Sequence, residues 1–167
     1  MKHFVLLSFL LFMSIGLFAQ SRPCPCCTPA HRQFDFWLGD WQAYRPDGQL
    51  AGTNHIVLLQ DSCILQENWK SAKGGYTGTS YNYFDAQDST WNQLWIDNRG
   101  GQLILKGHRT GNQMILFSDA TPDASGHTIV HRITWTANND GTVRQHWEST
   151  KDDGKWVTVF DGLYQKQ

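Results

Sequence analysis

The chain carries little charge and no strongly basic stretch. Fourteen Lys and Arg against 15 Asp and Glu leave a formal net charge of −1, and no run of Lys or Arg occurs. That excludes the basic footprint by which proteins hold nucleic acid or anionic membrane surfaces, so neither is an expected partner. Long apolar runs are missing after the first twenty residues. A membrane-spanning helix needs ~20 apolar residues, so no membrane insertion is expected beyond that point. Helical period is missing from Trp41 onward. The short motifs of hydrolase and nucleotide chemistry are absent too: there is no Gly-x-Ser-x-Gly elbow, P-loop, His-Glu-x-x-His or dinucleotide fingerprint.

What is present begins with MKHFVLLSFLLFMSIGLFAQ, which has basic Lys2, an apolar run from Phe4 to Phe18 and small Ala19 before polar Gln20. This pattern predicts a secretory signal peptide over residues 1–19 and a secreted or periplasmic protein. Residues 20–30 form a Cys/Pro-rich segment, and 31–167 are expected to be a single domain with enough chain to bury a core.

All four cysteines, Cys24, Cys26, Cys27 and Cys63, fall in the exported part, where disulfides persist. One or two bridges are expected. A bond from Cys63 to the cluster would close a loop of roughly 36 to 39 residues, worth ~3 to 4 kcal/mol in the chain-entropy model. The competing reading takes Cys24-x-Cys26-Cys27 as a metal or redox site, but that spacing is shorter than zinc pairs use and no second pair exists.

Thr28-Pro29 can open a short helix over His31 to Trp37, with Gly39 to end it. Beyond it, alternating segments separated by turn signals predict strands near 40–45, 52–60, 63–71, 76–84, 90–97, 102–109, 112–118, 127–137, 142–150 and 155–165. The punctuation includes Pro46-Asp47-Gly48, Gly74-Gly75, Asn98-Arg99-Gly100-Gly101 and Asn139-Asp140-Gly141, residues that suit tight hairpins. Short links make consecutive antiparallel neighbours. About ten such strands must close or leave sticky edges, so the expected fold is all-β, a closed up-and-down antiparallel barrel.

The eight Trp fall on defined faces. Trp69 shares one with Glu67 and Leu65, Trp91 and Trp95 with Gln93 and Asp97, Trp135 with Ile133 and His131, and Trp147 with Gln145 and Val143. The opposite faces carry Arg144, His146 and Glu148, or Arg132, Thr134 and Thr136, and look solvated. Strict alternation therefore turns the Trp faces inward. The interior then mixes Trp69, Trp95, Trp135 and Trp147 with Glu67, Gln93, Asp97, His131 and Gln145. Unpaired buried polar groups cost ~1 to 3 kcal/mol each, a cost that a roomy, partly wet cavity for a small molecule relieves. In the competing reading the polar residues pair with one another or slip outside, and the Trp residues are simply core.

Residues 34–41, FDFWLGDW, match the Phe-Asp-Phe-Trp-Leu-Gly-x-Trp signature of a family of uncharacterised secreted bacterial proteins. The chain resembles that family along its whole exported length, through CILQENW at 63–69, GTSYNYFD at 78–85, WNQLWIDNRGG at 91–101, RITWT at 132–136, GTVRQHWE at 141–148 and FDGLY at 160–164. The resemblance implies a calycin-like barrel similar to the nitrobindin and lipocalin group. There a Gly-x-Trp, here Gly39-Asp40-Trp41, packs across one end beside a short helix and plugs it. It implies no activity and no functional residues. Nitrobindin-like proteins bind haem through a barrel histidine and carry Gly-x-Trp-x-Gly-x-Gly, whereas Gln42-Ala43-Tyr44-Arg45 follows here; the missing glycines weaken a haem assignment without closing it, and no cofactor is expected.

Three functions remain open. An exported binding protein would hold an aromatic, sugar-like or apolar small molecule against Glu67, Trp69, Gln93, Trp95, Asp97, His131, Trp135, Gln145 and Trp147. An acid/base enzyme would use Glu67, Asp97 and His131, with burial raising a carboxyl pKa toward neutrality. An envelope structural or interaction protein would need no ligand. The histidines at 31, 55, 108, 127, 131 and 146 are scattered, His55 and His131 being the best pair for a metal; no metal site is expected.

Overall fold

The computed structural model describes residues 24–152 and 154–167; the expected signal peptide lies outside them. Its strands are β1 (Gly39–Tyr44), β2 (Leu50–Leu59), β3 (Ile64–Ser71), β4 (Thr77–Asp85), β5 (Thr90–Asp97), β6 (Gln102–Thr110), β7 (Gln113–Phe117), β8 (Thr121–Pro122), β9 (Thr128–Ala137), β10 (Val143–Lys151) and β11 (Val157–Lys166). Ten of them form a closed antiparallel barrel, because β1 pairs with β11 and β9 pairs with both β7 and β10. The two-residue β8 is a spur on β9. Every predicted strand is present, with its ends displaced by two residues at most. Hairpin chemistry is local, which is why it reads well: in the β5–β6 turn Gly100 takes φ +82° while Asp97 Oδ1 accepts from the N–H groups of Arg99 and Gly101.

The helix expected over 31–37 is a correction. Only a 3-10 turn, Asp35–Trp37, forms there, preceded by hydrogen-bonded turns from Cys24 onward. Three residues per turn set Phe34 and Trp37 one above the other. Their rings stack at 5.2 Å and enter the barrel together, where Phe34 also meets Trp91 and Trp135 edge-on. The Trp41 indole N–H donates to the Trp37 carbonyl at 2.8 Å, and Gly39, at φ +126°, redirects the chain into β1.

These residues, with Met114, Val143 and Tyr164, make a dense core at the end of the barrel that carries the β2–β3, β4–β5, β6–β7 and β9–β10 turns. Covalent and polar ties hold the leading segment on this packed end. Disulfides join Cys24 to Cys27 and Cys26 to Cys63; Arg32 donates to Ser62 O; Arg109 donates to Gln33 O and lies over the Phe36 ring at 4.7 Å. Beside Cys63, three consecutive residues, Gln60, Asp61 and Ser62, take left-handed backbone at φ 51°, 50° and 72°. That conformation is costly for non-glycine residues and persists only where neighbours dictate it, as the disulfide and Arg32 do here.

The other end differs. Two bulges break the register near this end, at Ala51 of β2 in its pairing with β1 and at Val159 of β11 in its pairing with β10. Strand β1 pairs with β11 only over Leu163–Lys166, so among the described residues 157–162 have no partner on that side. The wall splits there into a cleft between the β1–β2 turn and β11. Bulges bend strands and re-aim side chains, and both bulged residues line the cavity described next.

Candidate functional site

A cavity of about 240 Å³ occupies the lumen toward this open end. Trp69 of β3, Trp95 of β5, Trp147 of β10 and Phe160 of β11 form its walls with Leu103 and Tyr76; Glu67, Gln93, Gln145 and Tyr164 line its inner part; Arg45 stands at the rim. Three glycines explain how bulky rings fit against the walls. A Cβ on Gly52 would meet the Trp69 ring at 2.6 Å, one on Gly78 the Trp95 ring at 2.1 Å, and one on Gly162 the Phe160 ring at 2.6 Å. The Trp69 and Trp95 rings lie over a glycine of the neighbouring strand and the Phe160 ring over one of its own, which both covers the glycine and leaves the centre hollow.

The floor is a continuous polar network. Glu67 is only 4% exposed. Its Oε1 accepts from Asn54 Nδ2 and its Oε2 from the Ser80 hydroxyl, both at 2.7 Å. Asn82 Nδ2 donates to Ser80 Oγ at 2.9 Å, and Gln93 Nε2 to Asn82 Oδ1 at 2.7 Å. The cross-strand register produces this directly, since Ser80 faces Glu67 and Asn82 faces Gln93. Burial pushes the Glu67 pKa up to about 7, and the Ser80 and Asn54 hydrogen bonds only partly offset it. On the facing side the Tyr164 hydroxyl donates to Gln145 Oε1. Burial, and next the Glu67 charge, raise the Tyr164 pKa, so the phenol stays protonated.

Six predicted site residues, Glu67, Trp69, Gln93, Trp95, Gln145 and Trp147, surround this one cavity. Three do not. Trp135 is fully buried in the packed end, 5.2 Å from Phe34 and 5.3 Å from Trp37, and belongs to the core. Alternation assigned its face correctly but says nothing of depth along the barrel. Asp97 caps the β5–β6 turn and accepts from the Tyr76 hydroxyl, and the N–H groups of Arg99 and Gly101 hold its pKa down. It stands behind the wall as an ionised anchor. His131 lies behind Trp147, whose indole N–H donates to its Nδ1 at 3.0 Å. That bond needs an unprotonated Nδ1, and burial lowers the His131 pKa in the same direction. The trio Glu67, Asp97 and His131 therefore does not converge on one point of the lumen.

His55 faces outward and pairs with Asp40, away from His131. Among the described residues no group of three His, Cys, Asp or Glu side chains is placed to hold a metal. The residues the sequence reading missed are Asn54, Ser80, Asn82, Tyr164 and Arg45. The first four share the inward parity of their strands, a signal that becomes useful only once the register is known. Arg45 is the last residue of the strand expected over 40–45, but β1 ends at Tyr44, so alternation gave no guide to where its side chain goes.

Compared with known proteins, the chain matches no family model and no curated protein sequence. No helix among the described residues is long and apolar enough to cross a membrane.

Proposed function

We propose that this is an exported binding protein that holds a small ring compound in the open half of its barrel. One observation carries the reading: an aromatic-walled cavity of about 240 Å³ over a floor of hydrogen-bonded polar groups. The volume falls just below the ~300–1,000 Å³ usual for ligand pockets, which suits one or two rings better than a long acyl chain. The barrel is of the calycin-like type that the sequence resemblance implies. In it residues 31–38 act as the plug of the packed end, a role supported by the complete burial of Phe34 and Trp37. Two disulfides support an oxidising compartment, secreted or periplasmic.

Native mass spectrometry and Trp fluorescence against a library of ring compounds test this reading. A bound compound is expected to be lost in a folded Trp95→Ala, Trp147→Ala variant. Binding that survives both substitutions would place the ligand elsewhere.

A second reading follows from the Glu67 pKa of about 7, the value a general acid or base needs at neutral pH. Both Glu67 oxygens already accept hydrogen bonds, which favours binding over proton transfer to a substrate. Turnover abolished by Glu67→Gln in a folded protein would reverse that preference.

A further inference from the structure

The binding reading leaves the ligand's chemistry open, and two features of the cavity narrow it. The first is the balance of polar and apolar lining. Both Glu67 oxygens accept, from Asn54 and Ser80, Gln93 donates to Asn82, and Gln145 accepts from Tyr164, which leaves Asn54 Oδ1, Gln93 Oε1 and Gln145 Nε2 without partners among the described residues. A sugar brings several hydroxyls, each of which loses free energy when buried without a partner. Three free floor atoms are fewer than the hydroxyls of a sugar ring require, whereas Trp69, Trp95, Trp147 and Phe160 offer flat apolar faces. The body of the ligand is therefore an aromatic ring system.

The second feature is the distribution of charge. Arg45 and Glu67 are the charged residues of the lining, and they lie at opposite ends of it. Glu67 sits four residues along β3 from the rim residue Ser71, roughly 13 Å of strand. Arg45 stands where the lumen meets the cleft in the wall, and it lines both together with Val159 and Phe160. Among the described residues it forms no ion pair. The two acids that line the cleft with it have other partners: Asp47 Oδ1 accepts from Gln49 N at 2.9 Å, and Asp161 accepts from Arg144 Nε and Nη2 at 2.8 and 2.7 Å. An unpaired guanidinium at the mouth of an apolar pocket is a fork for a planar anion.

Resting on the lumen-binding reading, we infer that the ligand is an aromatic carboxylate, its ring between Trp69, Trp95, Trp147 and Phe160 and its carboxylate on Arg45 at the split between β1 and β11. The split lets the acid group keep part of its hydration while the ring is buried, so the full cost of desolvating an anion is avoided.

The test titrates the purified protein with 2-naphthoate and with the neutral isostere 2-naphthamide, by calorimetry and Trp fluorescence at low salt. The acid is expected to bind about tenfold more tightly than the amide, the gain of one charge-assisted contact. Arg45→Gln should bind both at the affinity of the amide, with unchanged circular dichroism, and Arg45→Lys should recover part of the preference. Equal binding of acid and amide by the native protein, or a preference that survives Arg45→Gln, overturns the carboxylate assignment and leaves the lumen reading standing. Failure of both probes to bind overturns the assignment together with the lumen reading.

Discussion

The two ends of this barrel are built from the same residue type and behave differently. At the packed end Trp37, Trp41 and Trp135 are fully buried, in contact with Phe34 and Tyr164. At the open end Trp69, Trp95 and Trp147 stay half-buried around a hollow. Both sets point inward. What separates them is what fills the space between: the leading segment drives two rings into one end, while at the other the rings lie back over Gly52 and Gly78 and the wall is split by bulges. An inward aromatic thus becomes core or cavity wall according to its neighbours along the barrel axis.

The largest expected effect contrasts the ends directly. Trp135→Ala should destabilise the protein by about 3–5 kcal/mol, the usual range for a large buried ring. Trp95→Ala should cost less than half as much, because its ring already borders open space. Urea unfolding of both variants checks this, and equal losses would erase the distinction. Trp135→Phe should be far milder than Trp135→Ala, since the buried indole N–H of Trp135 has no hydrogen-bond partner to lose.

Next in size is the staple of the packed end. Replacing Cys26 and Cys63 by Ser releases a closure spanning 37 residues and should cost about 3–4 kcal/mol. Ligand affinity at the open end should remain unchanged while the protein is folded. Affinity that falls in step with stability would show the two ends to be coupled.

The floor between them should appear in the pH dependence of stability. The Glu67 pKa is raised from 4.5 to about 7 in the folded protein. Below pH 4.5 the carboxyl is protonated in both states and costs nothing. As pH rises from there toward 7 the unfolded chain ionises first, so stability is progressively lost, and the loss levels off above about 7. Glu67→Gln removes this dependence, so its stability relative to the native chain should improve by about 3 kcal/mol between pH 4 and pH 8. A flat difference across that range would mean that Glu67 is solvated.

The smallest of these effects concerns a glycine at the open end. Gly78→Ala would place a methyl 2.1 Å from the Trp95 ring and force the indole off the wall. A stability loss of about 1–3 kcal/mol, typical of overpacking, should accompany a changed Trp emission and weaker ligand binding. Unaltered emission and binding would show that the ring does not need the glycine beneath it.

The amino-acid order by itself determined the strands, the turns and the inward face, because hairpin residues and period-two alternation act within a few positions of one another. It also placed Cys63 in reach of the cluster at residues 24–27. Depth was not legible: Trp135 and Trp95 read alike, and only the stagger of ten tilted strands sends one into the packed end and the other to the cavity wall. Nor was the pairing of Glu67 with Ser80 and Asn54, which depends on register across three strands. Only the tertiary structure decided which inward side chains meet, since a barrel brings together residues whose separation in sequence sets neither their depth nor their partners.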